Sequence, residues 1–188
     1  LDLSDLPYER CIVDQAHGFY AKPILRPHVY TLYSCKKFFG VPDGGYLVGD
    51  VDEAWVSDLL PEHVHDHFSY LVSSAEVGTE KDYAQKQAAD CYLTRRHSKM
   101  SELTRGLLAG IDYEAVLKQR VKNTQFLQAA LGKYNRLTPL IDRYLEERSA
   151  SEALYLYPFL PLADLGDDFA YEFRQKLIQN KIYVPQLW

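Results

Sequence analysis

The sequence predicts an α/β fold, and three observations predict it. Short apolar runs bounded by Gly and Pro fill the first fifty residues. Helical spacing of apolar residues takes over after about Asp52, and near the end an apolar run, an amphipathic segment and another apolar run alternate. With 188 residues, 47% hydrophobic and 13% aromatic, the chain can bury the core of one medium domain or a little more.

Cys11 to Val13 is an apolar run that ends in Asp14, with His17 and Gly18 just after it. It predicts a buried strand whose C-terminal end enters a loop. A second strand is expected in "HVYTLYS", His28 to Ser34, which is β-branched and aromatic and follows Pro27. A third, "GYLVGD" from Gly45, follows the Pro42 to Gly45 turn. The interval between the first two holds Pro23 and Pro27 and leaves little room for a crossover helix.

Helices come next. Thr79 with Asp82 matches a capping box opening a helix through Tyr92, and Ser98 to Leu108 predicts a short one. The clearest is Asp112 to Leu131, where Tyr113, Val116, Leu117, Val121, Thr124, Leu127 and Leu131 recur at three- and four-residue intervals. Asp112 can cap its start and Gly132 can stop it. "ALYLYPFL" from Ala153 then predicts a strand, Asp167 to Asn180 an amphipathic helix with Phe169, Phe173 and Leu177 inward, and "KIYVP" a last strand. No internal repeat, low-complexity tract or long flexible linker breaks the pattern.

Composition narrows the function. A formal net charge of -5 with scattered lysines and arginines offers no basic face for phosphates, so nucleic acid is not an expected partner. The most apolar stretch, "ALYLYPFLPLADL", is too short to span a bilayer and carries two prolines, so no membrane is expected either. Cys11, Cys35 and Cys91 are odd in number and lack metal-ligand or redox spacing, and no signal peptide is visible, which suits a reducing cytoplasm. The chain begins "LDLSDLPYERCIVD" and stops at "IYVPQLW", both apolar close to the terminus, and reads as a fragment cut at both ends.

Taken singly, Asp14 reads as a cap or a structural salt bridge, His17 as a loop histidine, and Lys36 and Lys37 as an exposed strand end. Their combination says more. An acid ends one strand and a lysine pair follows the next, with Ser34 just before the pair and a glycine turn, Asp43-Gly44-Gly45, beyond it. A carboxylate to pair with a pyridinium nitrogen and a lysine to bond an aldehyde are what pyridoxal phosphate requires of a protein. Two other clusters are weaker. His63, His65 and His67 in "EHVHDHF" would share one face of a strand and suit zinc, but after Pro61 they read as a solvated connector, and no metal site is assigned. Arg95, Arg96 and His97 read as a solvated helix end.

"IVDQAHGFYAKP" followed by "YTLYSCKKFFGVPDGGYL" resembles the fold-type I pyridoxal-phosphate enzymes, in particular the DegT/StrS-like sugar aminotransferases. "GIDYEAVLKQRVKNTQFLQAAL", "LYPFL" and "IYVPQLW" resemble the C-terminal part of the same group. The resemblance implies the end of the large cofactor-binding domain, with a mixed sheet, in residues 1–55, a helical connector in 56–110 and a small α+β domain in 111–188. It implies Lys37 as the Schiff-base lysine, because Gly40 and Asp43-Gly44-Gly45 follow as in the family with one residue fewer between. Lys36 falls where relatives often carry arginine and is the alternative. Asp14 matches the acid on the pyridinium nitrogen, His17 the residue at the ring's phenolic oxygen or face, and Ser34 a phosphate-binding hydroxyl. The implied activity is transfer of an amino group from an amino-acid donor to a keto-sugar or nucleotide-sugar, by a homodimer whose subunits share each site. A dehydratase or lyase on the same scaffold, or a non-catalytic remnant, are the alternatives. Family members are longer, and their N-terminal part carries the phosphate loop and ring-stacking aromatic.

Overall fold

The structure, a computed structural model, describes residues 10–78, 82–93, 95, 97–162 and 169–184. These residues form a mixed α/β chain. Three strands, β1 (Cys11–Asp14), β2 (Val29–Ser34) and β3 (Gly45–Val48), precede helices α1 (Glu53–Asp58), α2 (Ser69–Val77), α3 (Tyr83–Leu93), α4 (Glu102–Ala109), α5 (Tyr113–Leu131), α6 (Thr138–Glu147) and α7 (Phe169–Gln179). The sheet order is β1-β2-β3, with β1 parallel and β3 antiparallel to β2.

A parallel pair needs a crossover, and residues 15–28 supply it without a helix. The loop packs back on the sheet instead. The Tyr33 hydroxyl donates to the Ala21 carbonyl at 2.8 Å, the Ile24 N–H reaches Thr31 Oγ1 at 3.4 Å, and the Phe19 ring lies against Tyr33 and Tyr46.

The register gives the sheet two unlike faces. Val29, Thr31 and Tyr33 are buried beneath the crossover, and Tyr46 and Val48 share their face. The opposite face carries Ile12, Asp14, Leu32, Ser34 and Leu47, and Ile12 is 68% exposed. β1 is therefore not the buried strand its apolar run predicts. It lies at the sheet edge, Cys11 and Val13 half-buried and Ile12 and Asp14 exposed. An apolar run is buried throughout only where both faces are covered, and here one is.

The core lies under the covered face. Cys35, Val41 and Leu108 are enclosed, with Phe19, Phe39, Met100 and Ile111 packed around them. Phe19 has the rings of Tyr20, Tyr33, Phe38, Phe39, Tyr46 and Tyr113 about it, at centroid separations from 4.8 to 6.3 Å. Tilted and edge-on packing predominates, as ring quadrupoles prefer.

α5 follows its spacing. Asp112 caps it by accepting from the Ala115 N–H at 2.9 Å, its apolar stripe is buried or half-buried, and it gives way at Gly132 to a single 3₁₀ turn. α3 and α4 answer the two shorter predictions but with later starts: Asp82 precedes α3 instead of lying in its first turn, α4 is capped by Ser101 and not begun at Ser98, and Thr79 lies outside the described residues. α7 starts at Phe169, and the predicted start at Asp167 also lies outside them. No described helix is long and apolar enough to cross a membrane.

Two predicted strands are not strands. Residues 153–160 run without a ladder, and the nearest pairing is an isolated bridge between Asn135 and Pro161. Pro158 and Pro161 bring no N–H, and the Asn135 side chain takes over. Its Nδ2 donates to the Pro158 carbonyl at 2.8 Å and its Oδ1 accepts from the Leu160 N–H at 2.9 Å. In "KIYVP", residues 181–184 are irregular and Pro185 lies outside the described residues. Lys181 takes a left-handed φ of 60°, and the N–H groups of Lys181 and Ile182 bond back to Ile178 and Leu177 at 2.9 and 2.8 Å. These two bonds close α7 as a Schellman cap, and donors spent on a cap cannot pair with a strand. The inward stripe of α7 is only partly covered, with Phe169 and Leu177 half-buried. Phe173 is 39% exposed and stacks on Phe169, because a stripe is enclosed only where an element faces it.

Candidate functional site

Asp14 ends β1 and lies beside Leu32 of β2, two residues before Ser34 ends that strand. A 3₁₀ turn, Cys35–Lys37, follows at once. The acid and the lysine pair therefore stand at the carboxyl edge of two adjacent parallel strands, the edge at which α/β sheets bind ligands. The Gln15 N–H donates to the Leu32 carbonyl at 2.8 Å and carries the ladder one step past Asp14. Asp14 itself is exposed. Its Oδ1 accepts from the Ala16 N–H at 2.8 Å, a turn bond that ties the carboxylate to its own loop, and no other described residue bonds to it.

The two lysines separate. Lys36 is half-buried and ion-paired with Asp90 of α3. Lys37 is exposed and makes no ion pair among the described residues. Ser34 is half-buried on the same open face of the sheet as Asp14. His17 is exposed, and its ring stacks on Tyr155 at 4.6 Å with 4° between the planes.

Beneath the lysine turn the chemistry is structural. Cys35 is fully enclosed, and burial, then the charge of Asp43, pushes its thiol up to about 11. Asp43, the acid of the predicted turn, is 8% exposed. It accepts from the Ser101 N–H at 2.8 Å, the Ser101 hydroxyl at 2.7 Å and the Thr104 hydroxyl, and so fixes the start of α4. Gly44 has φ 97°, and a Cβ there would meet Thr104 Cγ2 at 2.9 Å, so this turn needs its glycine.

Sequence reasoning missed Arg120 and Tyr155. Arg120 on α5 donates to the carbonyls of Phe38 and Tyr155, each at 3.3 Å. The signal was present: Arg120 falls on the inward stripe of α5, three residues after Leu117 and four before Thr124. Tyr155 carried none, because its segment reads as a strand.

A cleft of about 770 Å³ opens elsewhere, between the start of β3, the 61–65 segment and α4, with Tyr46, His63, His65, Lys99, Met100 and Arg105 on its wall. None of Asp14, His17, Ser34, Lys36 and Lys37 lines it. Its charges are partly matched, Arg105 bonding Glu102 at 2.7 Å and buried Glu62 accepting from the Ser98 hydroxyl at 2.7 Å. The histidine cluster is not an alternating strand: His65–His67 is a 3₁₀ turn, and His67 stacks on Tyr92 at 4.0 Å. Among the described residues no three His, Cys, Asp or Glu side chains stand together to hold a metal. Arg95 and His97 are exposed, and Arg96 lies outside the described residues.

The donor set at the sheet edge fits pyridoxal phosphate in kind: a carboxylate with an oxygen left open and an amine left unpaired by the described residues, on one edge. Enclosure is not supplied by these residues. Comparison of the chain with family models, with curated proteins and with solved structures found no match.

Proposed function

We propose that the chain is the C-terminal part of a pyridoxal-phosphate-dependent aminotransferase acting on a keto-sugar or nucleotide-sugar with an amino-acid donor, as a cytoplasmic homodimer. One observation carries the reading. An exposed aspartate ends one strand and an exposed lysine, unpaired among the described residues, follows the end of the adjacent parallel strand, in the order the sequence resemblance assigns to them. Lys37 would hold the cofactor covalently through Nζ, Asp14 would sit against its ring nitrogen, His17 against its ring and Ser34 toward its phosphate. When bound, the cofactor supplies an electron sink for bond breaking at the carbon bearing the amino group. Lys37 Nζ, with no carboxylate holding it among the described residues, would take and return the proton at that carbon. Lys36, tied to Asp90, holds the turn against α3.

Incubation of the protein with pyridoxal phosphate, reduction with borohydride and peptide mapping tests the reading. Label concentrated on Lys37 is expected. Label spread over surface lysines in proportion to exposure would sink it, and label on Lys36 would move the role to that residue.

A second reading, a non-catalytic remnant that only folds or dimerises, is favoured by one observation: the described cleft of about 770 Å³ takes in none of the assigned residues. Concentrated label on Lys37 counts against it.

A further inference from the structure

Arg120 is half-buried where three parts of the candidate site meet. Its guanidinium lies over the Phe38 ring, Cζ 4.6 Å from the centroid, Nη2 donates to the Phe38 carbonyl and Nη1 to the Tyr155 carbonyl, each at 3.3 Å. Phe38 is the residue after Lys37, and its N–H closes the lysine turn on the Cys35 carbonyl at 3.0 Å. Tyr155 backs the His17 ring and meets Phe38 at 5.5 Å. No described carboxylate pairs with Arg120, and the two hydrogen bonds its guanidinium makes among the described residues both fall at this junction. A cation on an otherwise apolar stripe is costly to desolvate, and leucine or methionine would fill the same room. The planar fork of arginine is what reaches two carbonyls while covering a ring, and a lysine cannot do all three.

We propose that Arg120 is a positioning residue of the candidate site, holding the turn that carries Lys37 and the ring that backs His17 in one fixed relation. The proposal rests on the pyridoxal-phosphate reading, but one of its two readouts does not. Arg120→Met keeps much of the packing and loses the charge, and Arg120→Lys keeps the charge and loses the fork. In the parent, the stacked Tyr155 ring should shift the His17 ring protons upfield in the proton NMR spectrum. Arg120→Met is expected to lose most of that shift and Arg120→Lys part of it. With pyridoxal phosphate and borohydride, labelling at Lys37 should fall about tenfold in Arg120→Met, as expected for losing a charge-assisted contact, while labelling at exposed Lys122 stays constant.

An unchanged His17 shift overturns the proposal, and so does a lost shift with unchanged labelling at Lys37, since the two parts would then be uncoupled. If Arg120→Met does not fold, the Arg120→Lys spectrum decides on the same terms. A parent that takes no label at Lys37 refutes the cofactor reading, and the His17 shift then still decides whether Arg120 sets the geometry.

Discussion

Replacing Asp43 with alanine removes the acceptor of three buried donors at once. Ser101 is 2% exposed and Thr104 is fully enclosed, so water does not take the carboxylate's place. Each stranded donor costs about 1–3 kcal/mol. The hydroxyls can turn to weaker acceptors, and Ser101 Oγ still accepts from the Thr104 N–H at 3.2 Å, so the expected total is about 3–5 kcal/mol rather than the full sum. Asp43→Asn keeps one acceptor oxygen and turns an NH₂ toward the remaining donor, for a loss of about 2–3 kcal/mol. Urea unfolding followed by circular dichroism reads both, as a lower midpoint with an unchanged slope. Because the Asp43 charge also raises the Cys35 thiol, the asparagine variant should titrate that thiol at lower pH. A loss below about 1 kcal/mol in the alanine variant would refute the view that Asp43 anchors α4.

Three further outcomes follow from the same region. Gly44→Ala forces a φ of 97° on a residue with a Cβ and drives it into Thr104 and Met100, and a thermal melt should show a loss of about 2–3 kcal/mol. Phe19→Ala opens the aromatic cluster and should cost about 3–4 kcal/mol, with collapse of the near-ultraviolet dichroism while helical content persists; an unchanged near-ultraviolet spectrum would place the packing centre elsewhere. Cys35 gives a pH dependence of definite sign: the unfolded thiol ionises near 9 and the folded one near 11, so its contribution is full below pH 9 and is lost as pH rises toward 11. The loss amounts to about 2–3 kcal/mol, and Cys35→Ala should flatten the alkaline limb of the stability curve.

The sequence made elements legible wherever one face or one cap decides them. The strand from Val29 shows in its β-branched run, and α5 shows in a stripe from Tyr113 to Leu131 with Asp112 before it. What escaped was set by contacts distant in sequence. "ALYLYPFL" has strand composition, but its backbone partner is the side chain of Asn135. Ile182 and Tyr183 have strand propensity, yet the cap at Lys181 claims the neighbouring donors. At the candidate site, only the resemblance to a known family distinguished Lys37 from Lys36 in the sequence, while the ion pair to Asp90, fifty-four residues away, gives a physical difference between them. Asp43 was legible as part of a turn, but its role in starting α4 was not, because Ser101 and Thr104 lie far along the chain.

The sheet's open face has a kinetic consequence. Asp14 and Ser34 share it with Ile12 and Leu32, and among these four only Ser34 is half-buried while the others are exposed. If the described residues alone bounded this face, the arrival of a small molecule from that side would be set by encounter and orientation. On the proposed reading, a guest held there by the described residues alone would depend on the few bonds it makes on arrival, and a covalent tether through the Lys37 amine would lengthen its stay.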